Sequence, residues 1–560
     1  MAASAVASGF LRIRVPVLVG SAVSALVSSG SASVLLRYSL LIVGVSTAAA
    51  VLQFVVTYGG QWLAQRVVYN IRKDIFDALQ SKSFRFHDEN STGDLMARST
   101  MDVEAVRRLI SFGLPQLFTT TSLLGIAIYT LYGIGKTYLL VFLSIVPVLL
   151  AVTFLLAIKQ EPHWDAIREK YGRMSKILQE NIVGHRIVRS YTAEEEEARR
   201  FKQSTADYLE SYSNVSKIRA TLNPLLSLVV SLAIAGLFVF SGRVSGAASI
   251  GSLTAAIYIF LLILGPVRFY GQLVLFFENG MAGMKRIYEV LTARSEIVDD
   301  PNGLSAERIR GEVEFRNVSF SYKEKQILKN VSLHVKPGEV VGLVGESGSG
   351  KTTLVNLVPR FYDPSQGEVL VDGVNVKNYS VRSLRKIIGF VSQEAMLFTG
   401  TIAENITFGS PNASMAEIRA AAERAQIADF IESLPEGYQT IIGERGITLS
   451  GGQRQRIAIA RALIVDPKIL VLDDSTSSVD VETELRLQRA LKAVIEGRTT
   501  FVISHRLSTL RLASRLYVFG DGEIVEQGNW QELTERKGVF YELFRNQLEG
   551  LAKVTAVGGE

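Results

Sequence analysis

Six uncharged apolar windows occupy the first half of the chain, at residues 15–36, 38–65, 109–135, 137–158, 220–242 and 244–267. Each holds at least 22 residues, and a helix rising about 1.5 Å per residue crosses a hydrocarbon core of about 30 Å within that length. The pattern predicts six membrane-spanning helices. The segments 66–108 and 159–219 are different: charged and apolar residues alternate with few breakers, as from Asp165 through Tyr171 to Leu178. They read as helices that continue well beyond the bilayer. Local breaks fall at Phe86 to Asp94, at Gly184 and at the acidic run Glu194 to Glu197, whose bland reading is a solvated face. Past the polar stretch Asp299-Asp300-Pro301-Asn302-Gly303 the period shortens to strands alternating with helices. The expected fold is a polytopic α-helical membrane domain at 1–295, a linker at 296–311, an α/β P-loop domain at 312–548 and a tail at 549–560.

Composition agrees with a membrane half. With 48% hydrophobic residues and a mean hydropathy of +0.23, the 560-residue chain is too apolar for an ordinary soluble protein. The net charge of +6 matters less than its placement. Segment 66–108 holds eight Lys and Arg and segment 159–219 holds twelve, whereas the alternate turns carry Arg37, Lys136 and Arg243. Basic loops stay cytoplasmic, so an even number of crossings places both termini on that side too. The absence of cysteine excludes disulfides, thiolate metal sites and cysteine nucleophiles. The first ten residues lack the basic region of a cleaved signal peptide. Hydropathy starts the first helix at 15; a helix over 1–28 would carry Arg12 and Arg14, at about 2.5–3.5 kcal/mol each unless they face a wet cavity. Pro147, Pro224 and Pro266 interrupt apolar windows, as membrane helices tolerate.

Chemistry concentrates in the second half. Gly345-Glu346-Ser347-Gly348-Ser349-Gly350-Lys351-Thr352 fits the pattern G-x-x-x-x-G-K-[ST], after a strand-like Val340 to Val344 and before a helix opening at Thr353. Glycines let backbone N–H groups wrap phosphates, Lys351 supplies charge for the β and γ oxygens, and the Thr352 hydroxyl can ligate Mg²⁺. Leu449-Ser450-Gly451-Gly452-Gln453 then opens a helix carrying Arg454, Arg456 and Arg461. Its nearly bare N-terminus can face an anion. After Pro467 the apolar run Ile469 to Leu472 ends in Asp473 and Asp474, which fits a buried parallel strand delivering carboxylates to the edge of a sheet.

These stretches resemble the nucleotide-binding domain of the ABC transporter family. Leu449 to Gln453 matches the family signature, Asp473 the Walker B carboxylate, and Gln393 in Phe390-Val391-Ser392-Gln393 the Q-loop. Ser477-Ser478-Val479-Asp480 resembles the D-loop, His505 the switch histidine, and Tyr322 the aromatic that stacks on adenine. Each alone would pass for a surface or strand-end residue; the motifs occur together in family order. The resemblance implies ATP and Mg²⁺ as cofactors. It places nucleotide contacts at Tyr322, Gly345, Ser347 to Thr353, Gln393 and Ser450 to Gln453, metal contacts at Thr352, Gln393 and Asp473, and catalysis at Asp474, Gln393 and His505.

The first half resembles the membrane domain of ABC exporters. The resemblance implies a half-transporter that dimerises, each ATP held by the Lys351 side of one copy and the Ser450 side of another. It places docking positions at Gly93-Asp94-Leu95 and Tyr191-Thr192-Ala193, near Gly443-Glu444-Arg445-Gly446. It implies ATP-driven export of an amphipathic lipid-, drug- or peptide-like substrate from the cell membrane, with membrane lipid as surroundings and no nucleic-acid partner. The family usually has Glu where this chain has Asp474, and a shift of about 1 Å in a base can slow a reaction about 100-fold. That implies a degenerate site and favours a heterodimer over a homodimer, which the intact signature and His505 keep open. The competing class is a regulatory or ATP-gated channel subunit; a soluble ATPase acting on ribosomes or DNA is countered by the six spans.

Overall fold

The computed structural model describes residues 2–29, 32–241, 247–300, 302–443, 449–473, 481–545 and 547–548. The chain forms two compact units: Met1–Ser81 with Asn90–Ala293, and Lys82–Glu89 with Arg294–Glu560. The eight residues from Lys82 to Glu89 therefore leave the first unit, although they lie inside the stretch 1–295 in sequence.

Six long helices build the described part of the first unit: Ala2–Ser29, Ala32–Ser81, Thr92–Ile134, Lys136–Val183, Glu194–Ser241 and Ala247–Thr292. The 50 residues of Ala32–Ser81 run about 75 Å, more than twice a hydrocarbon core, so the helix extends far past its apolar window. Pro147, Pro224 and Pro266 all lie inside helices. Among the described residues five helices are long and apolar enough to cross a membrane, and Glu194–Ser241 contains the shorter apolar stretch Ser227–Val239. A core of Ile13, Leu123, Leu131, Phe142, Leu237, Phe260 and neighbours joins five of them, with the Phe142 and Phe260 rings edge-on at 5.2 Å, and Val68 and Ile75 of Ala32–Ser81 pack in a separate cluster with Val103, Val106 and Ile287. Yet only 11% of the apolar window in Ala32–Ser81 is buried. Leu40, Val43, Phe54 and Tyr129 stand exposed, as lipid-facing side chains do and a water-soluble core forbids.

The first helix departs from the hydropathy window. It spans Ala2–Ser29 rather than 15–36, because its packing face lies in the N-terminal half. Ala5, Gly9, Ile13, Pro16 and Gly20 are buried at three- and four-residue intervals, with Ser8 buried beside them, while Arg14 lies exposed, its guanidinium 4.8 Å from the Phe10 ring. At Gly20 the helix meets Gly251 so closely that a Cβ on either residue would overlap the other's carbonyl oxygen.

The segment that groups with the second unit ends at Glu89, just before the expected docking position at Gly93. Gly93, Asp94 and Leu95 sit in the helix Thr92–Ala97 of the first unit, where the Ser91 hydroxyl caps the Asp94 amide and Asp94 pairs with Arg98 at 2.8 Å. The helix that packs into the second unit is Phe84–Glu89. Tyr191 and Thr192 follow the helix His185–Ser190; Tyr191 is 81% exposed and Thr192 has φ +53°. Of their expected counterpart, Gly443 is described and residues 444–446 lie outside the described residues.

In the second unit, β1 (Val313–Tyr322), β2 (Lys325–Val335), β4 (Gln366–Val371) and β5 (Val374–Asn375) form an antiparallel sheet in the order β2-β1-β4-β5. The six-stranded sheet contains β3 (Val340–Gly345), β6 (Ile388–Val391), β9 (Ile469–Asp473), β10 (Thr499–Ile503), β11 (Arg515–Gly520) and β12 (Glu523–Gly528), in the order β12-β11-β3-β10-β9-β6. All its pairings are parallel except β11 with β12. β7 (Gly400–Thr401) and β8 (Ile441–Ile442) make a small ribbon. Three apolar cores lie among the described residues of the unit. One joins the antiparallel sheet to the helix Lys351–Leu357, a second gathers residues from Ile402 to Ile442 around the helix Gly451–Leu463, and a third packs Leu507, Leu510, Leu533, Phe540 and Phe544 beside Leu516 and Val518 of β11.

Candidate nucleotide site

Parallel strands carry their loops out at one edge, and here that edge collects the expected chemistry. β3, β10, β9 and β6 are consecutive neighbours in the sheet, with Ile503 opposite both Leu343 and Asp473, and Val391 opposite Leu472. The phosphate loop leaves β3, His505 follows β10, Asp473 ends β9 and Gln393 follows β6. Residues more than a hundred positions apart are thus placed side by side by strand order alone.

Within the loop, Lys351 is 6% exposed and its ammonium donates to the carbonyls of Gly345 at 2.9 Å and Glu346 at 2.7 Å, and to Ser349 Oγ at 3.2 Å. A lysine folded over a ring of carbonyl and hydroxyl oxygens is a cation held in place for an anion. Gly350, at φ +100°, approaches Leu328 so closely that a Cβ would lie 2.7 Å from its Cδ2, so the turn into the helix admits no side chain there. Ser347 and Gly348 face solvent, whereas Ser349 and Thr353 are buried.

The Thr352 hydroxyl donates to Asp473 Oδ1 at 3.2 Å, and Asp473 is 5% exposed. One hydroxyl and one carboxylate oxygen this close fit the protein share of a Mg²⁺ shell, which is completed by water and substrate phosphates. Thr352 and Asp473 would hold that ion, which would supply positive charge to offset that of the phosphates. Asp474 and the stretch 477–480 lie outside the described residues. Gln393 and His505 are exposed at the same edge; the His505 carbonyl accepts from Gln547 Nε2 at 3.2 Å.

Ser450 caps the helix Gly451–Leu463 in a closed box: its hydroxyl accepts the Gln453 amide at 3.3 Å, and Gln453 Oε1 accepts the Ser450 amide at 2.8 Å. Ser450 and Gly451 remain exposed, while Gly452 is buried. The arginines behind them brace the fold. Arg454 donates to the Leu449 carbonyl, Arg456 to that of Gln426, and Arg461 to those of Asn405 and Met396. The signature helix packs in the second apolar core and the phosphate-loop helix in the first.

Tyr322 ends β1, half-buried, and meets Tyr362 edge-on with centroids 5.3 Å apart. Tyr362 was not singled out from the sequence. Its signal was the pair Phe361-Tyr362 just after the phosphate-loop helix, which receives the helix Phe84–Glu89: Phe84 stacks on Phe361 at 4.3 Å, and Arg85 pairs with Glu296 at 2.9 Å.

The family description "ABC transporter transmembrane region" matches residues 1–267, and "ABC transporter" matches residues 328–477. A Bacillus subtilis (strain 168) ABC transporter ATP-binding protein, YknU, is 36% identical over 491 residues, covering 87% of this chain and 84% of its own. The chain belongs to the ABC transporter family. An ATP-dependent lipid A-core flippase of Syntrophus aciditrophicus (strain SB) is 37% identical over 497 residues, 87% of this chain and 82% of the flippase. The structure of a bacterial Atm1-family ABC exporter with ATP bound superposes with a TM-score of 0.82 at 28% identity, covering 97% of each chain. This ABC transporter is a multi-pass membrane protein with the exporter order of domains, and its second unit is an ABC ATPase domain.

Proposed function

We propose that this chain is half of an exporter in which ATP, held between the second units of two copies or of this chain and a related half, drives alternating access to an amphipathic substrate. The observation that carries the reading is the division of the nucleotide contacts. Lys351, Thr352 and Asp473 converge at one sheet edge, while the exposed Ser450 cap belongs to a helix that packs in a different apolar core from the phosphate-loop helix. Two-sided clasping across a dimer gives ATP a differential affinity for closed and open states, which is what a ligand needs to shift them. Tyr322 serves as the adenine platform, Ser347 to Thr353 as the phosphate cradle, Gln393 with Thr352 and Asp473 as the Mg²⁺ side, and His505 as the γ-phosphate sensor.

Asp474 acts as a short general base, so this chain's own site is slow and a heterodimer with a Glu-bearing half is favoured. Arg12 and Arg14 lie within the apolar first helix, where an arginine in lipid costs about 2.5–3.5 kcal/mol. They line the pathway, and favour an amphipath with negative charge. The lipid A-core flippase relatives add weight to a lipid within that class. The basic segments 66–108 and 159–219 put the second unit in the cytoplasm of the cell membrane.

The test uses the chain purified alone in lipid nanodiscs. Slow ATPase that Asp474→Glu raises about 100-fold supports the short-base reading; robust ATPase that Asp474→Ala abolishes overturns it. ATP-dependent movement of a fluorescent phospholipid in liposomes, lost in Lys351→Ala, separates export from ATP-gated conduction.

A further inference from the structure

Tyr362 touches both the nucleotide side of the second unit and the segment Lys82–Glu89, which continues in sequence into the helices Ala32–Ser81 and Thr92–Ile134. The residue is 7% exposed. Its ring meets Tyr322 edge-on at 5.3 Å and Phe320 at 5.4 Å, and lies 6.1 Å from Phe84. Its hydroxyl donates to Asp88 Oδ2 at 2.7 Å. Burial, reinforced by that bond, pushes the phenol well above its ordinary value, so it stays protonated and can only donate to the carboxylate.

The seat around it is stiff. Arg360, at φ +52°, is tied to Asp363 Oδ1 at 3.0 Å, and Phe361 is clamped between the Phe84 ring and the Arg385 guanidinium at 5.2 Å. Arg385 in turn donates to the carbonyls of Pro359 at 3.0 Å and Arg360 at 2.9 Å. Between this fixed floor and the half-exposed Tyr322, the Tyr362 ring has one open neighbour, and that neighbour is where a base would stack.

We propose that Tyr362 is the positioning residue through which an adenine base on Tyr322 sets the pose of the helix Phe84–Glu89. A base stacked on Tyr322 holds that ring in one orientation, the Tyr322 edge holds the Tyr362 ring, and the Tyr362 hydroxyl holds Asp88. Without the base, Tyr322 turns toward solvent and Tyr362 loses one wall, so the bond to Asp88 is made a smaller fraction of the time. The base and the helix are thus linked through one two-sided aromatic residue, in addition to whatever the phosphates do at Lys351. The inference rests on the reading of Tyr322 as the adenine platform.

The experiment measures amide hydrogen exchange of residues 84–89 in the full-length chain in nanodiscs, with Mg-ATP or with Mg-tripolyphosphate, which fills the phosphate loop but has no base. Mg-ATP slows exchange about tenfold, the lower end of what a hydrogen bond to a charged acceptor supplies, and tripolyphosphate leaves it within about twofold. Tyr362→Phe and Asp88→Ala abolish the ATP effect while ATP affinity stays within about threefold, and Asp88→Asn, which keeps an acceptor oxygen, restores it. Equal slowing by both ligands, or full slowing in Tyr362→Phe, overturns the proposal. Tyr322→Ala separates the two levels: unchanged ATP affinity refutes the platform itself, whereas weakened ATP binding with slowing at 84–89 intact refutes the relay alone.

Discussion

Arg286 and Asp102 join the last long helix of the first unit to the helix Thr92–Ile134 beyond its apolar window, and replacing Arg286 with Met tests how much that tie contributes. The guanidinium is bidentate, Nε to Oδ2 at 2.8 Å and Nη2 to Oδ1 at 2.5 Å. The two backbones are close here, because a Cβ on Gly283 would lie 2.9 Å from the Asp102 carbonyl oxygen. Asp102's side chain is 11% exposed, so Met at 286 leaves a nearly buried carboxylate without its donors, a loss of about 3–5 kcal/mol when both partners are fully buried. Arg286 is 47% exposed, however, and water reaching the vacated side screens the orphaned charge, which lowers the expectation to about 2 kcal/mol. Pairing Arg286→Met with Asp102→Leu removes charge and donor together and recovers most of that loss, giving a coupling energy of about 1–2 kcal/mol. Loss of helical circular dichroism during unfolding of the purified chain in mixed micelles reads all four corners of the cycle. A single-variant loss below about 0.5 kcal/mol, or strictly additive variants, would refute the assignment of the pair as a structural tie.

Gly251→Val forces the first and last long helices apart at Gly20 and costs about 1–3 kcal/mol in the same unfolding assay, whereas Gly44→Val, where no heavy atom outside its helix lies within 4 Å, costs little. Hydrogen bonds from Arg107, opposed by partial burial and aided by Arg108, hold the Glu104 carboxyl at about 2 against an ordinary 4.5. The stabilisation is therefore complete above about pH 4.5 and is lost as pH falls through about 2; after screening it amounts to about 1–2 kcal/mol, and Glu104→Gln removes that part of the acid limb of a stability-versus-pH curve. Ser450→Ala opens the capping box, lowers the stability of the second unit by about 1 kcal/mol, and lowers dimer ATPase by more than the stability loss explains, as parallel melting and turnover measurements would show.

Much of this molecule is written locally. Uncharged runs of 22 residues or more predict spans because a bilayer asks only for length and apolarity. The phosphate loop and the Ser450 cap are equally local, since a glycine at φ +100° or a Ser-x-x-Gln box acts within a single turn. What crosses between elements needed the fold. The first helix starts at Ala2 rather than at 15 because its packing face, from Ala5 to Gly20, outweighs two arginines that a hydropathy average counts against it. Phe84–Glu89 joins the second unit because stacking on Phe361 and a hydrogen bond to Tyr362 hold it there, partners more than 270 residues away. The 3.2 Å approach of Thr352 to Asp473 follows from strand order, β3 and β9 flanking β10, and contact order is a property of the folded sheet, which no single stretch of residues carries.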